Sequence, residues 1–85
     1  MNYILVLIDS IQESIFNYKI NELKSIIGKL IIEIDKIMPN LNDDEIQILN
    51  NLLEYINIGM QNQDYLFVAD VFHYDFRAFI SLKIN

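Results

Sequence analysis

Apolar residues recur at steps of three and four along the chain, and this spacing constrains the fold more than any other sequence feature. Strict alternation of apolar and polar residues, which would indicate half-buried strands, is absent. Only two glycines and one proline interrupt the 85 residues. The pattern predicts an all-α fold, and the length predicts one domain, 1–85, because a second core would need a longer chain.

The apolar stripes divide the chain into four predicted helices. The first runs from about Asn2 to Asn17. The second begins at Ile20 and ends before Pro39, because the residue before a proline resists helical geometry. Neither glycine nor proline separates these two segments, so one continuous helix, giving three helices in all, is the alternative. Short connections favour antiparallel neighbours, which predicts an up-down-up-down bundle.

The third helix has the clearest start in the sequence. Asn42 is a suitable N-cap residue, and Glu45 follows three residues later, as a reciprocal capping box requires. The last helix is predicted from about Gln63 to Ile80. Gly28 lies inside the second helix, where we expect it to permit a close crossing with another helix.

Composition limits the classes of partner. Twelve acidic and six basic side chains give a net charge of −6, which repels nucleic-acid phosphates and anionic membrane surfaces. The absence of cysteine excludes disulfides and thiolate zinc sites, and we expect a cytoplasmic location. The apolar fraction is 53%, which is more than so small a bundle can bury. Some apolar surface is therefore expected to meet a second copy or another protein.

The last helix is apolar on two sides of a wheel drawn at about 100° per residue. The side expected to face the core consists of Tyr65, Val68, Ala69, Phe72, Phe76 and Phe79. The opposite side consists of Phe67, Val71, Tyr74 and Ala78. This second side is predicted to contact a partner, because aromatic residues are enriched at interfaces. Irregular packing that buries these residues is the alternative.

Four apolar residues of the first and third helices also fall outside the main apolar stripes of those helices. We expect them to be scattered surface positions, which are common in folded proteins. They are Leu5, Phe16, Ile48 and Tyr55.

The sequence contains no catalytic constellation. His73 is the only histidine, and a lone histidine in a chain without cysteine falls short of a zinc or transition-metal ligand set. It shares a polar sector with Asp70 and Arg77, which are expected to form a solvated ion pair. The two glycines are isolated, so there is no phosphate-binding loop. The sequence predicts a protein that is not an enzyme, with no cofactor, no metal and no small-molecule substrate.

The segment from Asn62 to Phe76, NQDYLFVADVFHYDF, carries a resemblance to known proteins. It resembles the ending of small helical proteins of unassigned function from low-GC spore-forming bacteria, where the pattern is roughly Asn-x-Asp-Tyr-x-x-x-Ala-Asp-x-x-x-Tyr-acidic-apolar. Some of those proteins are encoded near flagellar glycosylation genes. The resemblance implies a motility-associated accessory role and implies no catalytic residues.

These observations predict a protein-interaction or assembly module that forms a homodimer or binds another protein. The alternative is a small chaperone of a flagellar or export system, which would offer an apolar groove to a partner's amphipathic helix.

Overall fold

Four antiparallel helices make up the computed structural model, which describes residues 2–84 and the side chains of residues 3–82. Helix α1 is Asn2–Phe16, α2 is Ile20–Ile37 and α3 is Asp43–Gln61. Helix α4 spans 65–84. The predicted all-α antiparallel bundle is confirmed, and the break before Ile20 decides for four helices over three.

The break between α1 and α2 is made by a left-handed residue. Tyr18 has a φ of 55°, and the amide of Lys19 donates to the carbonyl of Ser14 at 2.9 Å. This is the hydrogen bond of a Schellman motif, which ends a helix and is usually built on glycine. Gln63, with a φ of 56°, ends α3 in the same way. Neither stop carries the glycine that would reveal it in the sequence.

The connection from α2 to α3 follows the predicted signals. A 3₁₀ turn, Met38–Asn40, contains the proline. The predicted capping box is confirmed: the amide of Glu45 donates to the Asn42 side chain at 2.8 Å, and the amide of Asn42 donates to the Glu45 carboxylate at 2.9 Å. These bonds satisfy donors that a helix start otherwise leaves unpaired.

Helix α4 is continuous but not uniform. It begins with α-helical Tyr65–Asp70, widens into a π-helical segment at Val71–Phe76 and returns to α-helix at Arg77–Ile84. Asp64 caps its start, because the amide of Phe67 donates to the Asp64 carboxylate at 3.2 Å. Helix α4 therefore begins two residues later than predicted and continues past Ile80.

The π-helical segment changes which residues of α4 face the core. Within it, the amide of Arg77 donates to the carbonyl of Phe72, five residues back. Each π-helical turn holds more residues than an α-helical turn. A helical wheel drawn with a constant α-helical step therefore assigns the residues after this segment a shifted position around the helix. Ile80, which was not among the predicted core residues, is fully buried.

A hydrogen bond joins α1 to α4 just before the π-helical segment. The amide of the Gln12 side chain donates to the backbone carbonyl of Ala69 at 2.8 Å.

Helices α1 and α4 occupy the middle of the fold. Helix α1 packs against α2 on one side and α4 on the other, while α3 packs against α4. Helices α2 and α3 do not pack closely on each other, so the bundle stays open between them. All four helices contribute to one core, which includes Ile8, Ile11, Leu23, Leu30, Ile34, Leu49, Ile56, Val68, Phe72, Phe76 and Ile80.

The close helix approach predicted at Gly28 occurs at Gly59 instead. A Cβ atom on Gly28 would meet no atom within 4 Å, so the predicted close crossing at Gly28 is wrong. The close approach lies at Gly59, where a Cβ atom would lie 2.6 Å from Cγ2 of Val68 and 3.0 Å from Cδ2 of Phe67. Gly59 therefore allows α3 and α4 to approach closely. Among the residues that the structure describes, no helix combines the length and apolar content needed to span a bilayer.

Candidate interaction surfaces

The predicted contact side of α4 is not one surface. Val71 is only 4% exposed, so its predicted place on an outer face is wrong. Helix α4 lies between α1 and α3 and therefore buries a wider arc than a single apolar stripe. Phe67 is 39% exposed and Tyr74 is 65% exposed, and Ala78 is exposed as well. These three residues are on the outside of α4, as predicted.

Phe67 and Tyr74 face different neighbours. The ring of Phe67 packs edge-to-face on Tyr55 of α3, with ring centroids 6.4 Å apart. The ring of Tyr74 packs edge-to-face on His73, with centroids 4.6 Å apart, and lines a depression to which Phe16 and Gln12 of α1 also contribute. The two rings therefore belong to opposite flanks of α4.

A larger apolar surface lies where the end of α1 meets the first half of α4. Two depressions of about 290 and 310 Å³ adjoin there and share Phe16 and Leu66 in their linings. Phe16 is 69% exposed and Leu66 is 72% exposed. Tyr18 lines the first depression and Tyr74 lines the second. We call Phe16, Tyr18, Leu66 and Tyr74 the α1–α4 surface.

Tyr18 combines exposure with backbone strain. It is 84% exposed, the highest value among the described large apolar side chains, and its φ of 55° is left-handed. A non-glycine residue in this region carries about 1–2 kcal/mol of steric penalty. The helix stop imposes this strain, and Gln63 carries the same strain at the end of α3.

Polar residues border this apolar surface. Asp70 and His73 line the second depression and are exposed. The predicted ion pair of Asp70 with Arg77 is wrong, because the Nη2 group of Arg77 donates to the Asp9 carboxylate on α1. That pair ties α4 to α1 at the surface, where such pairs contribute little stability. Within the described part of the chain, no group of three or more His, Asp or Glu side chains is placed to hold a metal ion.

A separate groove of about 350 Å³ lies between α2 and α3. It exists because each of these helices packs on a central helix and not closely on the other. Its walls are Lys24, Ile27, Leu30 and Ile31 of α2, with Leu53, Ile56, Asn57 and Met60 of α3. Phe72 of α4, which is fully buried, forms the base. We call this the α2–α3 groove.

Compared with protein families, with curated proteins and with solved structures, the chain shows no match.

Proposed function

We propose that this protein is a non-enzymatic, cytoplasmic interaction module that assembles with a second copy of itself through the α1–α4 surface. The observation that carries the proposal is the contiguous exposure of four large apolar side chains across two adjoining depressions. Contiguous apolar patches on small proteins mark contact sites more often than scattered apolar residues do.

The three exposed rings supply part of the area that a dimer needs. Large aromatic side chains carry about 150–250 Å² each. At the exposures of Phe16, Tyr18 and Tyr74, the three rings together present roughly 400 Å² to solvent. This is about half of the roughly 800 Å² that a standard interface buries per partner. Leu66 and the polar border would contribute to the rest.

Covering this area favours association. If half of the exposed ring area is covered, two copies together bury roughly 400 Å² of ring surface, worth about 10 kcal/mol at about 25 cal/mol per Å². This gain is comparable to the cost of about 4–15 kcal/mol in lost freedom of motion on association. Burial of Leu66 and polar contacts at the border would add to the gain. A two-fold dimer would pair the same patch on both chains.

The contacts of His73 support a role without catalysis. Its ring packs on Tyr74 and is exposed to solvent. A general base needs a nucleophile within hydrogen-bonding reach and a group that orients the imidazole. The ring contact with Tyr74 supplies neither. The predicted chaperone role and the motility-associated role stay predictions.

The test is the solution mass of matched variants, measured by size exclusion coupled to light scattering. The wild type is expected to have twice the chain mass of 10.1 kDa. The double variant Phe16→Ser with Leu66→Ser is expected to have the mass of one chain and unchanged helicity by circular dichroism. Ile48→Ser with Tyr55→Ser, which removes two exposed apolar residues of α3, is the control and is expected to stay dimeric.

Two results would contradict the proposal. A monomeric wild type would rule out self-association at the concentrations tested. A dimeric Phe16→Ser with Leu66→Ser variant would place the contact elsewhere on the molecule.

A further inference from the structure

We propose that the α2–α3 groove binds a free fatty acid, with the acyl chain along the groove and the carboxylate at Lys24. This site is separate from the proposed dimer contact, because none of its lining residues belongs to the α1–α4 surface. The inference therefore stands or falls independently of self-association.

The lining of the groove suits an apolar chain. Seven of its nine lining residues are apolar, and its volume of about 350 Å³ falls within the range of about 300–1,000 Å³ for small-molecule sites. Met60 adds a flexible side chain that can adapt to the shape of a ligand. The lining positions span 24–31 on α2 and 53–60 on α3, or about 10 Å at 1.5 Å per residue. The groove is thus an elongated apolar trough.

One end of the trough is polar. Helices α2 and α3 run antiparallel, so the beginning of α2 lies beside the end of α3. This places Lys24 at one end, level with Met60, and Ile31 and Leu53 at the other end, with Asn57 near the middle of the α3 wall. The Lys24 ammonium group can donate hydrogen bonds to a carboxylate. A cationic end followed by an apolar trough matches the chemistry of a fatty acid.

A client protein's amphipathic helix is the competing occupant. A helix with its side chains is about 10–12 Å across, so it would lie on the rim and insert apolar side chains alone. Such a helix would not need an anionic group at Lys24. Preference for an anionic head group therefore separates the two occupants.

The test is a calorimetric titration with decanoate below its micelle concentration. Saturable binding of one decanoate per chain is expected. Decylammonium, which has the same chain and the opposite charge, is expected to bind at least tenfold more weakly. In the series from hexanoate to decanoate, each added methylene is expected to tighten binding about fourfold, which corresponds to about 0.8 kcal/mol per buried CH₂.

Two matched pairs of variants locate the site. Ile31→Trp fills the groove and is expected to abolish binding, whereas Ile32→Trp, on the neighbouring exposed residue outside the groove, is expected to leave it unchanged. Lys24→Glu is expected to weaken decanoate binding at least tenfold and to favour decylammonium. Lys29→Glu changes the net charge equally but lies outside the groove lining, and is expected to bind as the wild type does.

Three outcomes would overturn the proposal. They are the absence of saturable binding, equal affinity for decanoate and decylammonium, and unchanged binding by Ile31→Trp. A designed amphipathic helix that binds the wild type while decanoate does not would assign the groove to a client protein instead. The Phe16→Ser with Leu66→Ser variant is expected to bind decanoate normally, so failure of the dimer proposal would not affect this result.

Discussion

Replacing Tyr18 by glycine should stabilise the isolated chain and weaken the dimer. Removing the side chain relieves about 1–2 kcal/mol of left-handed strain. Glycine also gives the unfolded chain more freedom, which offsets about 0.4–1 kcal/mol of this gain. The net gain in the free energy of unfolding is about 0.5–1 kcal/mol. For a domain of this size it corresponds to a rise in Tm of about 2–8 °C.

The effect on dimerisation should be opposite and larger. At 84% exposure, Tyr18 presents roughly 170 Å² of surface. Covering half of this area contributes about 2 kcal/mol at about 25 cal/mol per Å², and a two-fold dimer counts it twice. The dimer Kd should rise on the order of a hundred- to a thousandfold.

The assay has two parts. Thermal unfolding followed by circular dichroism is measured at a dilution where the chain is monomeric, because dimerisation would itself raise the Tm. Sedimentation equilibrium then gives the dimer Kd. Gln63→Gly, at the other left-handed position, should gain similar stability with a smaller loss of dimerisation. A Tyr18→Gly variant that is less stable than the wild type would mean that the left-handed backbone of Tyr18 carries no strain, and one that dimerises equally well would place Tyr18 outside the dimer contact.

Four further predictions concern the fold and the surface charge. Gly59→Ala should lower the free energy of unfolding by about 1–2 kcal/mol, because the added Cβ would press on the buried, stiff Val68. Gly28→Ala should raise it by about 0.5–1 kcal/mol, because the site is open and helical; equal effects of the two changes in urea unfolding would contradict this account. Asn42→Ala should lose about 1 kcal/mol in the same assay, and no loss would mean that the capping box contributes nothing. Raising the salt concentration from about 20 to 500 mM should tighten the dimer measured by sedimentation, since each chain carries a charge of −6; a weaker dimer in salt would indicate a contact dominated by ion pairs.

Sequence patterns that involve only neighbouring residues predicted much of the local structure of the helices correctly. Asn42 and Glu45 form the expected capping box, because both partners lie within one helical turn of each other. The apolar stripe of α4 is buried or half-buried throughout. The stop at Tyr18 was uncertain because its left-handed backbone carries no glycine, so residue type alone did not reveal it.

The two proposed binding surfaces are formed by residues from different helices. A helical wheel describes one helix at a time, so it does not predict which residues of two helices come together. Phe16 lies outside the apolar stripe of α1, and Leu66 lies in the polar sector of α4 near Asp70 and His73. The sequence predicts Phe16 as a scattered surface position and does not single out Leu66, and only the packing of α1 on α4 brings the two together. Val71 is buried because its segment of α4 packs against both α1 and α3, whereas a wheel for one helix allows a single buried side. The α2–α3 groove depends on how far two consecutive helices stay apart, a distance that apolar periodicity does not encode.

Isotope-filtered NOE spectroscopy can detect whether two chains meet through the α1–α4 surface. A sample mixed from ¹³C-labelled and unlabelled chains reports only contacts between different molecules. We expect intermolecular NOEs from the rings of Phe16, Tyr18 and Tyr74 and from the methyl groups of Leu66. Intermolecular NOEs confined to other residues, such as Ile48 and Tyr55 of α3, or none at millimolar concentration, would contradict this expectation.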